Sequence, residues 1–189
     1  MKKTFLTFIT CSIFSFGIAQ TEKNVGDFTK VTAFDKIDVN LVASTENKIV
    51  LTGANSQEVE VVNKNGELKL RMPFTKMLSG DDVSATVYYK KINAVEANEG
   101  SRIASKDEII AINFDIICKE GSEVKLLNLQ ADRLQVRVSQ GSIVTTKGTV
   151  KNQDILSNSG GKYDGQDCVT EQSVVTVNAG GIAHVYATN

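Results

Sequence analysis

The chain has 189 residues and a formal net charge of −1, with 41% hydrophobic and 23% charged residues. That length supports one or two small domains with a real hydrophobic core, and near-neutrality without a basic cluster excludes nucleic acid and anionic membrane surfaces as preferred partners. Aromatic residues make up only 6% and tryptophan is absent, so few rings are available to stack on sugars or bases.

The first segment, residues 1–19, has two lysines, an apolar run from Phe5 to Phe16 and small residues at Gly17 and Ala19, the signature of a secretory signal peptide. The run is shorter than the about 20 apolar residues that a membrane-spanning helix needs, and no later stretch comes closer, so no membrane span is expected. Cys11 sits inside the run after Thr10 rather than behind a small residue at its end, which argues against lipid attachment. Cleavage after Ala19 leaves 170 residues with a charge of −3, because Lys2 and Lys3 are removed. The expected location is exported: periplasm, cell surface or extracellular. Residues 20–27 are expected to be a flexible mature N-terminus, and residues 28–189 a single all-β domain.

Within that domain, residues 28–78 alternate as short strands: "AFDKIDVNLVAS", "NKIVLTGA" and "EVEVVNKNGELKLRM". Asn65-Gly66 predicts a tight hairpin, since both residues accept positive φ. Met72-Pro73 and the "SGDD" stretch mark a boundary, and "ATVYY" reads as a further strand. The strands of residues 28–78 are expected to cap or extend the first coil of the C-terminal half, covering its edge.

Residues 79–189 return to one turn five times. Its glycines are Gly100, Gly121, Gly141, Gly160 and Gly180, at spacings of 21, 20, 19 and 20 residues, a period that means a solenoid. The units are rich in alternating Val, Ile and Thr, so the coil is made of strands. Counting from each glycine, the third residue after it (Ile103, Val124, Val144, Tyr163, Ala183), the fifth before the next (Ile116, Val136, Ile155, Val175) and the third before (Cys118, Val138, Ser157, Val177) form almost wholly apolar columns. Residues two and four after the glycine, among them Arg102, Glu123, Lys162, Lys125, Asp164 and His184, are mostly polar. One face is buried and the other wet, as period-two alternation requires. Such a coil buries its side chains only when the next one stacks on it about 4.8 Å away. Glycine marks the corner, where positive φ costs it least, and Asn98, Asn158 and Asn178 are expected to stack their amides there.

The opening "FDKIDVNLVAS", the segment "IVLTGANSQEVEVVNKNGELKLRM" and the serial Gly-Ser and Gly-Gly turns resemble the DUF2807 or head GIN domain family of secreted, autotransporter-adhesin-like proteins of Bacteroidetes. The resemblance spans roughly residues 28–189. It implies a right-handed β-helix-like fold and a cell-envelope or extracellular role; joined to the hairpin and strands read in residues 28–78, the expected architecture is a right-handed parallel β-helix-like solenoid with an N-terminal antiparallel strand or hairpin cap. The resemblance implies no reaction and supplies no catalytic residues.

Chemical candidates are few. The single histidine, His184, falls on an outward column, and zinc or nucleophilic mechanisms usually need further His partners. Cys118 and Cys168 suggest a disulfide in an exported protein, but they fall on different sides of the coil and more than two coils apart, beyond the about 7 Å reach of a bridge. Two free thiols are expected, with Cys118 in the core. Asp164 and Asp167, and Asp81 and Asp82, lack the ligand spacing of a calcium loop, so neither metal nor cofactor is expected.

The sharpest constellation is Asp115, Gln135 and Asp154, six residues before successive glycines, with Arg137 beside them. Stacking places the two aspartates about 9.6 Å apart, twice the strand spacing, near the upper end of the roughly 6.5–9.5 Å separation in inverting glycosidases. Asp115, Asp154 and Arg137 are therefore the candidates for a carbohydrate-active, glycosidase- or lyase-like alternative. Against it stand the flanking Ile117 and Leu156 and the shortage of loops to build cleft walls. The leading reading is a non-enzymatic adhesion or interaction module that presents a flat repetitive face to an envelope protein or a surface glycan. The final unit, "GGIAHVYATN", stops halfway through a coil, and its strand edge is expected to be a contact site for a second copy or a partner strand.

Overall fold

The computed structural model describes residues 21–188; the expected signal peptide and Cys11 lie outside them. Fourteen strands run in chain order. They are β1 Thr21–Asn24, β2 Lys30–Ala33, β3 Asp38–Ala43, β4 Lys48–Thr52, β5 Glu60–Lys64, β6 Glu67–Arg71, β7 Ser84–Tyr89 and β8 Ala94–Ala97. Then come β9 Arg102–Ser105, β10 Ile109–Cys118, β11 Glu123–Val138, β12 Ile143–Ser157, β13 Lys162–Val177 and β14 Ile182–Ala187. Two single 3-10 turns, Ser56–Glu58 and Phe74–Lys76, are the only helical segments among the described residues. The sheet curls into a β-solenoid of about five turns, the architecture expected from the 20-residue period.

Each coil has three faces. The first begins at the glycine corner and stacks β3, β9 and the opening residues of β11, β12, β13 and β14 in parallel. The second stacks Ile109, Leu129, Gly148 and Cys168. The third stacks β6, β2, β8 and the closing residues of β10 to β13. The five glycine corners form one vertical row, the N–H of each of the first four glycines donating to the next corner: Gly100 to Glu120, Gly121 to Gln140, Gly141 to Ser159 and Gly160 to Ala179, at 2.9–3.2 Å. At every corner the glycine and the residue before it both have positive φ, as at Glu120 (62°) and Gly121 (71°).

The unequal spacings are absorbed at the second corner. Three residues separate Ser105 from Ile109, two separate Leu126 from Leu129, one separates Thr146 from Gly148, and two separate Gly165 from Cys168. This series reproduces the 21, 20, 19, 20 pattern, and the ladder shifts register at those points. The shortest corner is made by a glycine for a steric reason. Gly148 has φ +132°, and a Cβ there would overlap the Leu129 carbonyl oxygen and lie 2.8 Å from its nitrogen.

The inward columns are closed wherever a coil lies on each side. Ile103, Val124, Val144, Tyr163, Ile116, Val136, Ile155, Cys118 and Val138 are all at most 1% exposed. Val175 and Val177, which continue the inward columns, are 39% and 46% exposed. The reason is stacking: β14 covers Lys162–Gly165 and Val169–Thr170 of β13 but not Gln172–Val177. In the last coils the core becomes polar and stays paired. Tyr163 Oη lies 2.8 Å from Thr146 Oγ1 and donates to Gln153 Oε1 at 3.0 Å, while Gln153 Nε2 donates to Ser173 Oγ at 2.7 Å.

The N-terminal strands differ from expectation in two respects. Residues 21–24 form β1, antiparallel to β4, instead of a flexible lead-in, because β4 would otherwise expose an unpaired edge. The coils also begin well before residue 79. β2 and β3 are joined by a corner in the same vertical row, where Lys36 N–H donates to the Glu99 carbonyl at 3.0 Å. Asp35 and Lys36 take positive φ of 60° and 64° there without any glycine. The buried Asp35 carboxylate accepts the N–H groups of Met72 and Leu78, both at 2.9 Å, tying down the longer connection to β7. The Asn65-Gly66 hairpin joins antiparallel β5 and β6 as expected.

Candidate interaction face

The third face of the coils carries every member of the Asp115 constellation. Asp115 pairs with Gln135 and Gln135 with Asp154, so the three form one column. The two carboxylates lie two rungs apart, about 9.6 Å by strand spacing. Asp115 and Arg137 are exposed, Gln135 and Asp154 partly so. Ile117, Arg137 and Leu156 form the neighbouring column, in which the half-buried Ile117 and Leu156 offer apolar surface on either side of the guanidinium. Val174, 63% exposed, continues the Asp154 column toward the last coil.

A further column escaped the sequence reading. Asn113, Arg133, Asn152 and Gln172 stand eight residues before successive glycines, are in register across the ladder and are all exposed. The signal was available, since alternation carried two residues further back from Asp115 reaches Asn113. No ion pair joins Asp115, Asp154, Arg133 or Arg137 to another side chain among the described residues; the pair of Lys151 with Asp132 (2.6 Å) lies at the edge of the face.

Toward the N-terminal end the same face changes character. Lys30 bridges Glu96 (2.7 Å) and Glu67 (3.0 Å), Glu67 meets Lys69 (3.2 Å), and Lys119 reaches Glu96 (3.5 Å). Burial alone would raise the Glu67 pKa, but hydrogen bonds from Thr32, Lys30 and Lys69 outweigh it and hold the carboxyl at about 2. Glu96 is lowered by the same balance of burial against Lys30. These charges satisfy one another, whereas the polar groups over β10 to β13 face solvent.

The remaining candidates are not brought together. His184 is exposed at the far end of the first face, paired in the ladder with Asp164. Asp167 is held by Lys147 at 2.6 Å, and among the described residues no group of three or more His, Cys, Asp or Glu is placed to hold a metal ion. Cys118 and Cys168 are free thiols, as expected. Cys168 is buried too, a placement the sequence reading gave only to Cys118. Burial pushes the Cys118 thiol up to about 12 and raises Cys168. The three asparagines do not form a stack: Asn98 is separated from Asn158 by Lys119 and Ser139, and the Asn158 amide oxygen instead accepts the Ser159 N–H at 2.8 Å.

The profile of the family described as "Putative auto-transporter adhesin, head GIN domain" (DUF2807) matches residues 27–189. Among solved structures, a "putative adhesin" from Bacteroides fragilis is similar at 14% identity and a TM-score of 0.74, covering 92% of this chain and 95% of that one. A "putative adhesin" from Parabacteroides distasonis is similar at 17% identity and a TM-score of 0.69, covering 90% and 82%. A "putative lipid binding protein" from the same species matches at 12% identity and a TM-score of 0.64, covering 92% and 84%. At such identities these likenesses establish the fold alone. No curated protein matches the chain.

Proposed function

The chain belongs to the DUF2807 head GIN domain family, and from that premise we propose that it is a non-enzymatic contact module of the cell envelope or exterior, presenting its third face to a surface protein or glycan. The observation that carries this reading is the face itself: three straight columns in register over four coils, whose charged groups Asp115, Arg133, Arg137 and Asp154 form no ion pair among the described residues, and whose Asn152 amide makes only a long 3.5 Å bond to the Asp132 carbonyl. The names given to its neighbours from Bacteroides and Parabacteroides point the same way, and so does the leader expected at residues 1–19. No helix among the described residues is long and apolar enough to cross a membrane.

The carbohydrate-active alternative rests on the Asp115 and Asp154 pair. A hydrolytic site gains its electrostatics by excluding water from a walled cleft. The second corners beside this face are only one to three residues long, too short to raise such walls. Labelled mature protein applied to intact cells of a producing strain that lacks the gene, and to neighbouring species, tests the proposal. Saturable binding that falls when Arg133→Ala and Asn152→Ala are combined is the expected result. Release of reducing ends from a polysaccharide, abolished by Asp115→Asn, would replace this reading with the enzymatic one.

A further inference from the structure

We infer that the ligand of this face is a neutral linear polysaccharide lying parallel to the solenoid axis, with one sugar residue over each coil; the inference rests on the contact-module reading above and names its ligand class. Three observations converge. The first is residue type. The polar members of the Asn113 and Asp115 columns over β10 to β13 are amides, carboxylates and a guanidinium, without a lysine or a hydroxyl residue. These are the planar side chains whose paired donors or acceptors engage two neighbouring hydroxyl groups at once. The apolar side chains of Ile117, Leu156 and Val174 lie among them, suited to the C–H faces of sugar rings.

The second observation is charge. The carboxylates of Asp115 and Asp154 are balanced by the guanidiniums of Arg133 and Arg137, so the face has no net charge to offer. A polyanion such as a nucleic acid or a uronic acid chain would meet two carboxylates without a surplus of cations. A protein partner would ordinarily find aromatic anchors in a desolvated centre, and the three columns of this face contain no aromatic residue.

The third observation is period. Outward positions recur once per rung, about 4.8 Å apart, which is comparable to the length of one pyranose residue in an extended chain, and like groups recur on alternate rungs, with Asn113, Asp115 and Ile117 repeated by Asn152, Asp154 and Leu156. An axial polysaccharide therefore meets polar partners at each sugar, and the set on β10 returns on β12, two sugars along. Weak contacts repeated along one chain then act at high effective concentration, so a shallow face whose open depression is lined by Arg133, Asn152, Asp154 and Val174 can hold a long ligand and release a short one.

Native affinity electrophoresis of the mature protein in gels containing neutral xylan, mannan, arabinan or mixed-linkage glucan tests this directly. The inference expects retardation by at least one of these polymers, weakened about tenfold by Arg133→Ala or Asn152→Ala, which each remove one paired contact. It also expects hexasaccharides of that polymer to compete far better than disaccharides. Lys125→Ala on the first face should leave mobility unchanged. These substitutions are at exposed positions, so circular dichroism should confirm an unaltered fold. Absence of retardation in all four polymers overturns the inference, as does retardation that the two variants leave intact. Should the protein then still bind cells through Arg133 and Asn152, and lose that binding when the cells are treated with protease, the ligand is a protein. The contact-module reading would survive and the polysaccharide would not.

Discussion

Substituting alanine for two glycines separates the cost of a backbone angle from the cost of a collision. Gly121 sits at the first corner with φ +71°, and a Cβ added there meets no atom within 4 Å. Gly121→Ala therefore isolates the left-handed conformation, about 1–2 kcal/mol, partly offset by the smaller conformational freedom of alanine in the unfolded chain; the net loss is about 1 kcal/mol. Gly148 occupies the one-residue second corner at φ +132°, a conformation that alanine rarely adopts, and its Cβ would overlap the Leu129 carbonyl oxygen with the Leu129 carbon at 2.9 Å. Relief requires moving the Leu129–Gly148 rung itself, so Gly148→Ala is expected to cost at least about 4 kcal/mol. For a chain of this size each kcal/mol lowers Tm by about 2–4 °C. The expected shifts are about 3 °C for Gly121→Ala and more than about 10 °C, or failure to fold, for Gly148→Ala. Because the chain lacks tryptophan, far-ultraviolet circular dichroism is the suitable probe, with thermal and urea unfolding of both variants run in parallel. Equal losses, or a milder effect at Gly148, would refute the claim that the second corner absorbs the variation in coil length.

Val136→Asp places an unpaired carboxylate between Ile116 and Ile155 in the closed core and should cost several kcal/mol, whereas Glu123→Ala on the wet side of the first face should cost less than about 1 kcal/mol in the same urea titration. Both thiols should resist alkylation in the native protein and react quantitatively in denaturant without reductant; an intramolecular crosslink found by mass spectrometry would contradict the separation of Cys118 and Cys168. Glu67 is held near pKa 2 in the fold against an ordinary value near 4.5, so its ionised form stabilises the protein fully above about pH 4.5, and that stabilisation is lost as the pH falls toward 2. Glu67→Gln should flatten the stability profile across that window and leave the slope at neutral pH unchanged. On the outer edge of β14, Ile182 N–H is bonded inward to Gly161, which turns the Ala183 and Val185 N–H groups outward. No charged side chain stands on β14 or on the uncovered Gln172–Val177 of β13, in contrast to Lys23 and Lys64 on β1 and β5, and such unprotected edges recruit another strand. Sedimentation of the mature protein should accordingly show reversible association that Ala183→Pro abolishes; a monomer at high concentration would remove the edge as a contact site.

The repeat, the glycine row and the apolar columns were legible in the residues because they rest on local rules. Alternation assigns each strand residue to a side, and paired positive φ values assign the corners; neither requires knowledge of what lies elsewhere in the chain. The register of Asp115, Gln135 and Asp154 was legible for the same reason. The polar column beginning at Asn113 obeys that rule too. What tertiary structure added depends on stacking. The corner at Asp35 and Lys36 has no glycine to announce it, and it forms because Asp35 is fixed by the amides of Met72 and Leu78, distant in sequence. Val175 and Val177 have the same alternation as Ile155 and Ser157 yet stay exposed, since burial in a solenoid is conferred by the rung above and not by the residue. Gly148 reads as an ordinary strand interruption until Leu129 is seen beneath it. Alternation could only sort side chains into inward and outward; which outward columns are left unpaired and which are consumed by ion pairs, as around Lys30, depends on neighbours that meet only when the coils are stacked.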